Sequence, residues 1–172
     1  MIVEADADGV IRQTGETYEV VFTRRIARPI EKVWAALTVP ERLADWLANA
    51  KIEPDLRLGA RFALHFPTHD YRMEGEIVAL DPPRLIAWTW PDPNDAAKPA
   101  SVVRFELAAD GAGCVLTLTN SAIVKPDLRN VAAGWHTHLD GLPGAADAIH
   151  MPWSAERAKL HAARYEALAE KL

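Results

Sequence analysis

A single cysteine, Cys114, stands among 172 residues. It excludes an internal disulfide and makes a reducing, cytoplasmic setting the expectation. Positive charge is scarce as well: 19 lysines and arginines face 24 aspartates and glutamates, a formal net charge of −5. That balance argues against nucleic acid or an anionic membrane as the main partner, because phosphate binding relies on concentrated positive charge. No apolar run approaches the ~20 residues of a membrane span. The opening Met1–Gly9 has three acidic residues and no basic one, so it does not read as a signal peptide. Internal repeats and low-complexity segments are missing too.

What remains is the composition of an ordinary globular chain, 49% apolar and 25% charged. Its length suits roughly one domain of about 150 residues. Such a chain buries about 70% of its unfolded surface, enough for one core without metal or disulfide support. Residues 1–16 read as a lead-in, loose or forming one short strand, and residues 17–172 as a single domain with a C-terminal helical extension.

From Thr17 the run TYEVVFTRRIA is rich in β-branched and aromatic residues and predicts a strand. Tyr18, Val20, Phe22, Arg24 and Ile26 share its inward face by the two-residue period, with Arg24 the odd member. Pro29 suits a first helical position, and Ile30, Val33, Trp34 and Leu37 follow at helical spacing. Thr38 is the expected N-cap of a second short helix carrying Leu43, Trp46 and Leu47. Strands follow, with Phe62, Leu64 and Phe66, then Tyr71, Met73 and Ile77, then Ile86, Trp88 and Trp90 on the greasy faces. Val103, Phe105 and Leu107, then Leu116, Leu118 and Asn120, continue the pattern beyond a polar, proline-punctuated loop from Pro91 to Pro99. One apolar and one polar face per strand predicts an antiparallel sheet covered on one side. The cover comes from Val131, Trp135, His138, Leu139 and Leu142 on one helical face, interrupted at Pro143 and Gly144. A last helix starts at the cap Ser154 and carries Leu160, Arg164, Leu168 and Leu172.

This order of elements resembles the helix-grip fold. Thr23–Leu37 (TRRIARPIEKVWAAL) resembles the opening of the family similar to the activator of heat-shock protein 90 ATPase, within the START-like superfamily. Pro40-Glu41 with Trp46, Arg57–Phe62, Gly75, Asp81–Leu85 with Trp90, Gly134-Trp135 with Leu139 and Leu142, and Trp153 with His161–Glu166 follow in the family's order. At the glycine turn the family's double glycine is Gly59-Ala60 here. The resemblance covers about residues 17–170. It implies an α+β fold, a curved antiparallel sheet of about six to seven strands wrapped on a long C-terminal helix, with two small helices after the first strand. It also implies an apolar cavity between sheet and helix.

Six tryptophans are many for 172 residues; Trp34 and Trp135 suit core packing, while Trp88 and Trp90 suit a pocket wall as well as core. Trp46, Phe62, Met73, Trp88, Trp90, Phe105 and Leu118 supply the expected cavity wall, with Trp135 from the closing helix. Arg24, Asn120 and His138 are the polar candidates. An inward guanidinium must be paired, with Glu74 or Asp140 or at a solvent-facing strand end, or else meets a ligand carboxylate. His136 and His138 diverge by about 200° on a helix and cannot chelate one metal. His65 and His69 have no partner at ligand spacing, so neither metal nor cofactor is expected. No G-x-S-x-G elbow is present, and Cys114 has no cation beside it in sequence to activate it. The reading is a binder of a small apolar or aromatic molecule, with no catalytic residue assigned. Its rivals are a cavity enzyme of the cyclase, dehydratase or hydrolase type, with His138 and Asp140 as its best pair, and a chaperone-regulating interaction module. A homodimer is left open.

Overall fold

A computed structural model describes residues 8–172. The part of the lead-in before Asp8, including most of the segment weighed as a signal peptide, lies outside the described residues. Eight strands form one sheet in the order β1-β2-β8-β7-β6-β5-β4-β3, every neighbour antiparallel. These are β1 (Val10–Thr14), β2 (Thr17–Ile26), β3 (Asn49–Glu53), β4 (Arg61–Phe66), β5 (Tyr71–Asp81), β6 (Leu85–Trp90), β7 (Ser101–Asp110) and β8 (Gly113–Ile123). Eight strands exceed the expected six to seven, and the two edges account for the difference from the six strands read by alternation. β1 is the short strand allowed for in the lead-in and pairs along β2, whereas β3 is unforeseen because NAKIE is short and has only Ala50 and Ile52 to mark an inward face. The small helices α1 (Ile30–Thr38) and α2 (Pro40–Trp46) therefore follow the second strand, not the first.

Two expected caps move. Pro29 is the N-cap of α1 rather than its first helical residue. Thr38 closes α1 instead of opening α2, its hydroxyl donating to the Trp34 carbonyl at 2.8 Å. Val39 stands at the N-cap of α2 and Pro40 takes the first turn, where a missing N–H costs nothing.

The closing helix is cut into pieces, α3 (Leu128–Leu139), α4 (Leu142–Ala146) and α5 (Ala155–Ala169). Pro143 has no N–H with which to continue α3, and it opens α4 instead. α3 packs on β2, α4 on α1 and α2, and α5 lies along α3. Ser154 caps α5 as expected, its side chain accepting the Arg157 N–H at 3.2 Å. Of the stripe expected on α5, Leu168 packs against the core and the rest faces outward. Leu160 is 67% exposed, whereas Tyr165 is fully buried and edges onto the Phe22 ring. Its hydroxyl accepts the Gly9 N–H at 2.7 Å and ties the segment before β1 to α5.

Curvature is concentrated in β5. Its residues 71–76 pair with β4 and residues 77–81 with β6, so the strand changes neighbours midway. Gly75 sits at the change, where a Cβ would run into the Thr89 carbonyl oxygen. The Glu76 N–H bonds the Thr89 hydroxyl there at 3.0 Å instead of a ladder carbonyl. A second irregularity lies in β8, where the register to β2 slips between Tyr18 and Val20 and Ala122 adopts φ 58°. This bulge turns Ile123 inward and opens the sheet beside Asn120.

Candidate functional site

The sheet's inner face is filled at one end and hollow at the other. Phe62 stacks on Trp88 with centroids 4.3 Å apart, and Trp88 stacks on Phe105 at 5.6 Å. Met73 and Leu118 are buried with them, so these five expected wall residues form solid core. The Trp88 indole N–H has no hydrogen-bond partner among the described residues, which costs about 1–3 kcal/mol. Trp46 also lies in the core, edge-on to Phe105 and donating its indole N–H to the Ala36 carbonyl at 2.8 Å. It borders a cleft of about 10 Å³ beside His138 and Trp153, room for about one water molecule.

The hollow end is a cavity of about 640 Å³. Of the eleven expected site residues it gathers Trp90, Asn120, Trp135 and His138. Its floor is Trp135, Asn120 and Ile123, all buried, and its walls are Phe66, Tyr71 and Trp90. Trp90 stands edge-on to Trp135 at 5.8 Å and donates its indole N–H to the Tyr71 oxygen at 3.1 Å. Burial raises the Tyr71 pKa, so the phenol keeps its proton. The mouth is polar and comes from the loop after β6 and the turn before α3. There Lys98 bridges Asp92 at 3.2 Å and Asp127 in a closer contact, and the Asp127 bond first raises the lysine's pKa. Sequence reading missed Lys98, Asp92 and Asp127, because their pairing joins a featureless loop to a segment 29 residues away.

Arg24 is not among the cavity's lining residues. Its guanidinium lies 5.3 Å from the centre of the Phe22 ring and donates to its own strand at the Thr23 carbonyl, 3.0 Å away. The partners weighed for it are engaged elsewhere, Glu74 with Arg61 and Asp140 with Arg157 and His161. β2 carries Arg24 four residues beyond Val20, the residue opposite Asn120, and so about 13 Å along the sheet from the cavity floor.

Asn120 is an amide with every useful group committed. Its oxygen accepts the Trp135 indole N–H at 2.8 Å, and its nitrogen reaches the Val102 carbonyl at 3.3 Å. The pair fixes the floor by joining α3 to β8. Asn120→Leu should cost about 1–2 kcal/mol, since it leaves the Trp135 N–H buried and unpaired. Urea unfolding checks this, and a loss below about 0.5 kcal/mol would remove the role of the bond.

His138 packs against Phe66 and Trp153, with ring centroids 5.8 and 4.6 Å away. Its Nδ1 lies 3.0 Å from the Trp46 carbonyl. A carbonyl only accepts, so Nδ1 carries the proton and Nε2 is bare. Burial drives its pKa down to about 4 and the ring is neutral. Asp140 serves the opposite face of α3, bound to His161 at 3.2 Å, so the pair considered for acid–base work is parted. Cys114 is buried and burial raises its pKa, which keeps it a thiol.

With this geometry in view, the family model for Activator of Hsp90 ATPase homolog 1-like protein matches residues 27–147. The chain belongs to that family. No curated protein matches significantly. The crystal structure of CalU16 from Micromonospora echinospora is similar at 26% identity and a TM-score of 0.73, covering 94% of each chain. The protein of unknown function EF2215 from Enterococcus faecalis shares the fold, with a TM-score of 0.78 at 16% identity over 98% of this chain and 95% of that one. DynU16, a protein of the dynemicin biosynthetic locus, shares it at 20% identity and a TM-score of 0.65, over 78% of this chain and 48% of its own. These are helix-grip relatives, and the sheet wrapped on a closing helix is the family's architecture. No helix among the described residues is long and apolar enough to cross a membrane.

Proposed function

We propose that this family member binds a neutral aromatic small molecule in the cavity between Trp90 and Trp135. The observation that carries the reading is the cavity itself. At about 640 Å³ it falls within the ~300–1,000 Å³ range of small-molecule pockets, with aromatic walls and a few polar groups at one end. Its polar groups favour an uncharged guest. Lys98 is the one lysine or arginine among the described lining residues, and two aspartates already hold it. A ligand carboxylate would meet the excess negative charge of Asp92 and Asp127 at the mouth and find no arginine inside. A phenol or ketone would lose nothing there, and its ring would lie against Trp90.

The test is a titration of tryptophan fluorescence and of the unfolding midpoint with paired compounds, a polycyclic phenol and its carboxylic-acid analogue. Saturable quenching with the phenol at least tenfold tighter is expected. Trp90→Ala should weaken binding about tenfold, the worth of one aromatic contact of about 1.4 kcal/mol. If no compound in a broad aromatic and fatty-acid panel quenches or stabilises the protein, the binding reading fails. Preference for the acid would overturn the charge argument alone. Recovery of the compounds unchanged is also expected, and turnover abolished by His138→Ala in a folded protein would replace binding with catalysis.

A further inference from the structure

On the side of α3 that faces α5, away from the cavity, three metal-ligating side chains meet. His136 and Asp140 are four residues apart on α3 and so share a face, and His161 and Tyr165 have the same spacing on α5. The two pairs interlock. His136 Nδ1 lies 2.8 Å from the Tyr165 hydroxyl, and His161 Nε2 lies 3.2 Å from an Asp140 carboxylate oxygen. One ligand atom from each of His136, Asp140 and His161 falls within 4.8 Å of the other two.

We propose that His136, Asp140 and His161 bind one divalent first-row transition ion of zinc-like preference, which ties α5 to α3. Two imidazoles and a carboxylate are a donor set such ions take, leaving a fourth position for water. The spacing is close to what the ion needs. Two donors each about 2.1 Å from a tetrahedral ion stand about 3.4 Å apart. The 3.2 Å between His161 and Asp140 meets that already. His136 must close a remaining gap of little more than ~1 Å, within the reach of side-chain rotation. Its ring now stacks on His161 at 3.6 Å and 13°, so the two in-plane lone pairs run side by side and one ring tilts on binding to bring them to a common point. Tyr165 supplies the outer contact, since by holding Nδ1 of His136 it leaves Nε2 to ligate. The His161 proton then moves from Nε2 to Nδ1 and that of His136 sits on Nδ1 toward Tyr165, so neither histidine gains or loses a proton overall. Arg157, 3.5 Å from Asp140, is the competing cation, and its half-exposed side chain has room to swing into solvent.

The experiment takes the full chain, treated with chelator, and titrates it with Zn²⁺ by calorimetry and with Co²⁺ by visible absorption. One equivalent of either ion, a Co²⁺ ligand-field band, and an unfolding midpoint raised by Zn²⁺ and restored by EDTA are expected. His161→Ala and the near-isosteric Asp140→Asn should each weaken binding at least tenfold while far-UV dichroism stays native. Asp140→Asn carries the test alone if His161→Ala does not fold. Absence of the heat and of the Co²⁺ band overturns the proposal. So does binding that both variants leave unchanged, which would place the ion on exposed histidines such as His69 or His150.

Discussion

Gly75→Ala should destabilise the protein by about 3 kcal/mol or more, the upper end of the cost of overpacking. The added methyl has no soft neighbour to push aside, because it meets the Thr89 backbone carbonyl. Relief would require β5 and β6 to separate at the point where β5 trades one partner strand for the other. The Glu76 N–H to Thr89 hydroxyl bond would break with it. In a domain of this size such a loss lowers the unfolding midpoint by roughly 6–12 °C. Urea unfolding with an unchanged m-value checks it, and a variant within about 1 kcal/mol of the parent would show that the bend does not depend on a bare backbone at this position. Weaker ligand quenching should accompany the loss, since β5 also places Tyr71 against Trp90.

The second large effect is acid destabilisation through His138. Its pKa is about 4 in the folded chain against an ordinary 6.5, with burial the main cause and His69 adding to it. Above pH 6.5 the ring is neutral whether the chain is folded or not, so it imposes no penalty. Between pH 6.5 and about 4 the unfolded chain takes up a proton that the folded chain refuses, so stability falls as pH falls. Below about 4 the loss from this group is complete. The shift is worth about 3 kcal/mol. The parent should therefore lose stability more steeply than His138→Gln between pH 7 and about 4, and the two curves should run parallel above neutral pH. Curves of equal slope throughout would mean that His138 titrates normally and that the aromatic enclosure admits water freely.

Period and punctuation made most of this architecture readable. The inward sets on β4, β5, β6, β7 and β8 are buried as their alternation requires, save Phe66, Tyr71 and Trp90 at the cavity, and Pro143 interrupts the closing helix because no sequence context can restore its missing N–H. What stayed hidden had non-local causes. β3 is an edge strand of five residues, paired on one side only, with just Ala50 and Ile52 to pack against the core. The single-turn change at Ala122 reversed the faces beyond it, which no count of alternating residues can foresee.

The site was harder to read for a related reason. Alternation puts Phe62, Trp88 and Phe105 inward, but it cannot say where along the strands the interior stops being full. That depends on Gly75 and the two register slips acting together. Arg24 kept its face yet lies near the wrong end of β2. Helical spacing rightly parted His136 from His138, but it had no access to His161, which reaches His136 only because the chain doubles back after α4.

The Phe62–Trp88–Phe105 pile has one more implication. It closes the hollow at that end, so under the proposed function a guest would enter and leave by the same door, beneath the Lys98 clasp. Depth then acts as a ruler. Under the same proposal a compact molecule would be enclosed whole, while a longer one would keep its far end outside.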